Sequence, residues 1–153
     1  CKEGEGVLVK GVSEGQIIGI DTMVFIYHLE DHPEFSNITE MLFDDIEKGK
    51  YHAATSFLTL LEILVKPKRE GQTKVVSDYR DLLLTFPNLR FFPVDLPVSD
   101  LASTLRAKYS ISTPDAIQIA TAITERASVF VTNDEQLKKV EEIKVVLLKE
   151  RRH

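Results

Sequence analysis

The 153-residue sequence predicts a parallel, three-layer α/β domain with a roughly five-stranded sheet flanked by helices. Two patterns carry this expectation. Short apolar runs such as Ile17-Ile18-Gly19-Ile20 and Val129-Phe130-Val131 lack the in-out alternation of a half-exposed strand and read as strands buried on both faces. They alternate with segments of helical apolar spacing, the order that builds a parallel sheet covered by helices. With 43% hydrophobic residues, the chain is long enough for one domain with its own core and too short for two ordinary ones.

Residues 1–16 are rich in Gly, Glu and Lys around the apolar island Val7-Leu8-Val9, so they are expected to form a flexible arm or a weakly held extra strand, with the folded domain over 17–153. The chain starts without Met, as a processed, trimmed or engineered terminus would; a mature lipoprotein would also begin with Cys, but nothing else in the sequence supports that reading. After the first strand, 22–30 suits a short helix closed by Asp31-His32-Pro33. A second helix, 35–48, places Ile38, Met41, Leu42 and Ile46 on one side and leaves at Gly49. Residues 51–55 return as a strand.

The segment 56–66 reads as a helix apolar on most sides, therefore buried, ending where Pro67 begins a charged loop; Glu62 stands in its middle. An amphipathic helix over 72–86, a strand over 89–94 and a helix over 98–109 follow. Thr113 as cap and Pro114 at the first helical position start a helix that runs to about residue 126. The strand 128–132 stops at Asn133-Asp134, and a short helix through Leu137 and Val140 leads to a last strand at 144–148 and a basic tail, Arg151-Arg152-His153.

Composition excludes several classes of function. The single cysteine, Cys1, forbids an internal disulfide, and with four scattered His it leaves no ligand set for structural zinc, which fits a reducing, cytoplasmic setting. No apolar run reaches the roughly 20 residues that cross a bilayer, so a soluble protein with no membrane partner is expected. A net charge of −5 argues against coating nucleic acid by bulk positive charge. His28 and His32 flank Glu30 in the order His-Leu-Glu-Asp-His, which is not a zinc-protease motif, and both are expected to be exposed.

Four acids stand out by position. Asp21 and Asp134 each follow a strand, Asp115 lies in the first turn of a helix, and ligands of such sheets bind beyond the carboxyl ends of the strands. Each alone has an ordinary explanation as a cap or a favourable charge at a helix start. Glu62 is harder to explain so, because a carboxylate among apolar neighbours must neutralise or find a cation. Together the four would repel one another, and no Lys or Arg sits beside them in the elements that carry them. An all-oxygen cluster selects a hard cation, Mg²⁺ or its substitute Mn²⁺, as one or two ions.

The segments carrying these acids, Ile20-Asp21-Thr22-Met23-Val24-Phe25-Ile26-Tyr27, Ser56-Phe57-Leu58-Thr59-Leu60-Leu61-Glu62, Thr113-Pro114-Asp115-Ala116-Ile117-Gln118-Ile119-Ala120-Thr121-Ala122 and Val131-Thr132-Asn133-Asp134, resemble in order the four motifs of PIN-domain ribonucleases. The similarity spans residues 17–148 and is greatest to VapC-type toxins of toxin-antitoxin pairs. It implies Mg²⁺- or Mn²⁺-dependent endonucleolytic cleavage of RNA, with Asp21, Glu62, Asp115 and Asp134 as catalytic and metal-holding acids and Thr132 and Asn133 in support. It also implies a homodimer and an antitoxin partner. Met23 departs from the small or polar residue usual there, which bears on the lining of the site more than on a ligand. On charge alone, Lys66, Lys68 and Arg69 are candidates for the RNA backbone, against the commoner meaning of a solvated charged loop. Phe57, Leu61, Tyr79 and Leu83 are expected in the core, with an oligomer surface as the alternative.

Three other readings share parts of this pattern. A phospho-acceptor receiver domain needs a paired acid after the first strand, where Thr22 stands, and a Lys after the last, whereas Lys144 begins it. A haloacid-dehalogenase-type phosphatase needs a second Asp at the place of Met23. A PIN-like RNA or protein adaptor without catalysis would not need all four acids.

Overall fold

The computed structural model describes Val9 and residues 12–150. Along the chain run β1 (Ile17–Ile20), α1 (Thr22–Leu29), α2 (Ser36–Glu47), β2 (His52–Ser56), α3 (Phe57–Arg69), α4 (Thr73–Thr85), β3 (Leu89–Phe92), α5 (Leu96–Tyr109), α6 (Thr113–Thr124), β4 (Val129–Thr132) and β5 (Lys144–Leu147), with 3₁₀ turns at Glu135–Lys139 and Leu148–Glu150. The five strands form one sheet in the order β3-β2-β1-β4-β5, every pair parallel. The strand order reverses between β1 and β4. That is the switch point, beyond whose strand ends the ligands of open parallel sheets bind.

Alternating strand residues feed two cores, one on each face of the sheet, which makes the three layers. Ile18 and Ile20 of β1, Val129 and Val131 of β4 and Val146 of β5 pack with α1 and α2 in the first core, with Ile63 and Leu83 added from α3 and α4. Phe130, Val145 and Leu147 point the other way, into the second core with Leu105, Ile119 and Leu137. Because both faces are covered, the strands carry apolar residues at successive positions.

Gly19 is the position at which β1 must be bare. A Cβ there would meet Ala122 Cβ of α6 at 2.5 Å and Phe130 Cδ1 at 3.2 Å, so the absence of a side chain lets α6 lie directly on the strand. Gly19→Ala is therefore expected to cost about 1–3 kcal/mol of stability, the usual range for overpacking, as read by chemical denaturation. A melt unchanged from wild type would show that α6 is not seated this closely. Gly49, with φ 85°, takes the left-handed conformation that ends α2, as its place in the sequence implies.

Several local expectations change. Pro67 lies inside α3, and the helix continues to Arg69, where Glu70 N–H donates to Lys66 O and Gln72 N–H to Pro67 O. The proline has no N–H to donate within the helix, and its ring is buried. α3 is not buried on most sides: Phe57, Leu61 and Val65 are 44%, 59% and 40% exposed and form an i, i+4, i+8 stripe facing outward, while Leu83 is buried and Tyr79 packs on the first core. The start of α6 is capped by Ser112, not Thr113, through Asp115 N–H donating to Ser112 Oγ at 3.2 Å.

Neither His28 nor His32 is fully exposed. The His28 ring lies 4.8 Å from that of Phe43, and burial pushes its pKa down. The His32 ring packs on Tyr27 and Phe35, and its Nδ1 accepts from the amides of Glu34 and Phe35. Of the arm, Val9 and Val12 are buried in the first core, and Gly15 N–H donates to Lys50 O at 2.9 Å. Residues 1–8, with Val7 and Leu8, lie outside the described residues, as does the tail at 151–153.

Candidate active site

At the end of β1 the backbone turns from strand to helix at Asp21, whose extended conformation makes it the N-cap of α1. Its Oδ1 accepts from the N–H of Thr22, the first residue of α1, at 2.8 Å. Its Oδ2 does something a cap does not require: it accepts from the Thr132 hydroxyl, at the end of β4, at 2.7 Å. Asp21 thus bridges the two strands of the switch point. At 9% exposure it is a buried carboxylate. Desolvation raises its pKa from 3.8 to about 6 against the lowering effect of the Thr132 hydrogen bond, with the charges of Asp115 and Glu62 adding to the rise.

Asp115 sits in the first turn of α6, half-buried, with its carboxyl pushed up by desolvation, a rise that the Ser112 hydrogen bond opposes and the charge of Asp134 reinforces. Asp134 follows β4 and is exposed; its Oδ1 caps the 3₁₀ turn by accepting from Gln136 N–H. Glu62 is half-buried rather than enclosed, because α3 turns its other faces outward. Its Oε1 accepts from the Thr22 hydroxyl at 2.6 Å. The four acids therefore form a chain of interacting charges, Glu62 with Asp21, Asp21 with Asp115, and Asp115 with Asp134.

Among the described residues none of the four forms an ion pair with Lys or Arg. Lys66, one turn beyond Glu62, pairs instead with Glu30 at 3.3 Å. Lys68 and Arg69 are exposed in the last turn of α3. Met23 is 43% exposed, on the first turn of α1 beside Asp21.

Thr132 and Asn133 take different parts. Thr132 is fully buried, spends its hydroxyl proton on Asp21 and accepts from Asp134 N–H at 3.2 Å, so it links two of the acids. Asn133 turns away and accepts from Lys149 N–H at 3.0 Å, tying the chain after β5 to the end of β4.

Beneath the acids lies a layer of polar side chains that no sequence motif marks as functional. Gln118, 2% exposed, donates from Nε2 to Thr22 Oγ1 at 3.0 Å and to Thr59 Oγ1 at 2.6 Å. Thr59 Oγ1 lies 2.7 Å from Thr55 Oγ1, which donates to Ile20 O at 3.1 Å. One signal was available. Gln118 stands one turn after Asp115, a polar residue between Ile117 and Ile119, as Glu62 stands between Leu61 and Ile63 in α3.

The donor set is four carboxylates of hard oxygen character, unpaired with protein cations, which suits a hard divalent ion. As placed, no three acidic, His or Cys side chains among the described residues close around one point. Mg²⁺ does not demand that, since it keeps several waters and binds through one or two carboxylates together with substrate phosphates. The residues present fit such an ion.

The family model of the PIN domain matches residues 18–143, which include all four acids. The chain belongs to the PIN-domain family. Receiver domains and haloacid-dehalogenase phosphatases are other families, and those readings fall. Solved structures with the same fold include a toxin-antitoxin complex from Klebsiella pneumoniae (TM-score 0.65, 21% identity, 87% of this chain and 97% of that one). VapBC2 from Rickettsia felis, bound to a DNA fragment from its promoter, is similar over 86% of this chain and 98% of that one (TM-score 0.67, 19% identity). FitAcB from Neisseria gonorrhoeae is similar over 88% and 99% (TM-score 0.64, 21% identity). Among curated proteins none matches by sequence. PIN domains as a family are nucleases that use divalent metal ions, and no helix among the described residues of this one is long and apolar enough to cross a membrane.

Proposed function

We propose that this PIN domain is a metal-dependent endoribonuclease that cleaves RNA phosphodiester bonds, and that it acts in the cytoplasm as the VapC-like toxin of a toxin-antitoxin pair. The observation that carries the reading is the buried, raised-pKa Asp21 at the switch point, in the field of Glu62 and Asp115 and without a protein cation to neutralise it. Asp21, Glu62, Asp115 and Asp134 would hold Mg²⁺ or Mn²⁺. Bound there, the ion supplies Lewis acidity toward a phosphodiester oxygen and toward water.

The chain's own residues prepare that site. Thr132 and the Thr22 amide fix both oxygens of Asp21, so the carboxylate does not rotate. Thr22 fixes one oxygen of Glu62. Asp115 and Asp134 stand at element ends, one in the first turn of α6 and one as the N-cap of the 3₁₀ turn that follows β4. None of the four is assigned as sole general base. Lys68 and Arg69, exposed and without ion-pair partners among the described residues, are candidates for the RNA backbone, while Lys66 is engaged by Glu30. The outward stripe Phe57, Leu61 and Val65 supports a homodimer. The similar structures that are toxin-antitoxin complexes support an antitoxin partner.

Incubation of the purified protein with a random-sequence single-stranded RNA pool tests the activity. The expected result is internal cleavage with Mg²⁺ or Mn²⁺, stopped by a chelator and restored by added metal. Intact RNA at saturating concentrations of either ion would reject the nuclease reading.

A further inference from the structure

The polar layer beneath the acids is more than buried filling, because its hydrogen bonds run in one direction. A carboxamide nitrogen carries two protons and no free lone pair, so both hydroxyls it meets must act as acceptors toward it. Gln118 Nε2 meets two, Thr22 Oγ1 at 3.0 Å and Thr59 Oγ1 at 2.6 Å. Each hydroxyl must then send its own proton elsewhere. Thr59 has Thr55 Oγ1 at 2.7 Å, and Thr55 in turn has Ile20 O at 3.1 Å. Thr22 has Glu62 Oε1 at 2.6 Å, shorter than its 3.1 Å separation from Thr59.

With the amide turned over, its oxygen would face both threonines, and the Thr22 proton would be divided between that oxygen and Glu62. The arrangement present removes the competition. All the donors of the layer are used, and the only acid reached is Glu62, whose other oxygen has no partner among the described residues. Glu62 belongs to α3, Thr22 to α1 and Gln118 to α6. The relay therefore sets the position of an α3 carboxylate from a helix that itself carries Asp115.

We infer that Gln118 is a positioning residue of the site, whose carboxamide commits the Thr22 hydroxyl to Glu62 and so holds that carboxylate where it can ligate a divalent cation. The inference rests on the nuclease reading above and extends it to residues that touch neither metal nor RNA. Outer partners that orient metal-holding side chains change metal affinity about 10–100-fold when removed. The same scale is expected here.

The test combines Mn²⁺ binding, followed by electron paramagnetic resonance, with RNA cleavage. Gln118→Met keeps the side-chain volume and removes both donors. It is expected to weaken Mn²⁺ binding about tenfold or more, and to raise the metal concentration for half-maximal cleavage by the same factor, with KM for RNA unchanged at saturating metal. Thr22→Val should reproduce this effect and Thr22→Ser, which keeps the hydroxyl, should not. The double variant Thr22→Val, Gln118→Met should be no weaker than Thr22→Val alone, since both break one link. If Gln118→Met does not fold, the Thr22→Val and Thr22→Ser pair reads the same link from its other end. Wild-type Mn²⁺ affinity in folded Gln118→Met or in Thr22→Val would overturn the inference. Failure of the wild-type protein itself to bind Mn²⁺ and cut RNA would instead remove the nuclease reading on which it stands.

Discussion

Asp21→Asn is expected to reduce metal-stimulated RNA cleavage by more than about a hundredfold, the upper end of what loss of a merely orienting partner costs at a metal site. It should do so without unfolding the protein. Asn keeps one oxygen where Asp21 uses two, so either the Thr22 amide or the Thr132 hydroxyl loses its acceptor, at a cost of about 1 kcal/mol. Against that, the wild-type carboxylate is buried, and its rise from 3.8 to about 6 means that the charged form is held at a penalty of roughly 3 kcal/mol at neutral pH. The amide carries no such penalty. At pH 7 without metal the variant is expected to melt at or above the wild-type temperature while being inactive. Retained activity would contradict the role of Asp21, and a collapsed melt would assign it to stability.

The same carboxylate makes metal-free stability depend on pH with a sign opposite to that of most acids. A carboxyl whose folded-state pKa is raised binds its proton more tightly in the folded than in the unfolded chain, so its contribution is fully present below the unfolded value and is lost as pH rises through the folded one. For Asp21 that window runs from about 4 to about 6, with Asp115 shifted in the same direction. His28 opposes it: burial lowers its pKa, so its contribution is lost as pH falls through its usual range. The difference between wild type and Asp21→Asn isolates the carboxylate. The wild type should lose up to roughly 3 kcal/mol relative to the variant between pH 4 and pH 7. Saturating Mg²⁺ or Mn²⁺ should reverse that loss at pH 7 by about 2.7 kcal/mol at a hundred times Kd, and by less at pH 5, where protons compete for the same oxygens. Denaturation curves at both pH values, with ion and with chelator, check this. A metal effect equal at the two pH values, or equal in Asp21→Asn, would place the ion elsewhere.

Much of this molecule was legible in its residues because the relevant rules are local or periodic. Continuous apolar runs bounded by turns reveal strands covered on both faces, and two acids just past the ends of such runs fall at the switch point by topology. Burial of α3 was misjudged because apolar composition does not say how many neighbours a helix has; Phe57, Leu61 and Val65 point outward, and Glu62 is half-exposed for the same reason. Pro67 marks no break: α3 runs through it to Arg69. The layer of Thr55, Thr59 and Gln118 joins residues up to 63 positions apart in sequence and leaves no period behind it. Gln118, polar between Ile117 and Ile119 in α6, is its one local sign.

The proposed chemistry requires that the four carboxylates hold a divalent cation. Crystals soaked in Mn²⁺ and measured for anomalous scattering test it directly. The predicted result is a peak beyond the carboxyl ends of β1 and β4, with oxygens of Asp21 and at least one of Glu62, Asp115 and Asp134 at about 2.1–2.2 Å, near the short distances of an octahedral oxygen site. A site empty of anomalous density at saturating Mn²⁺, with the ion bound elsewhere or not at all, would contradict it.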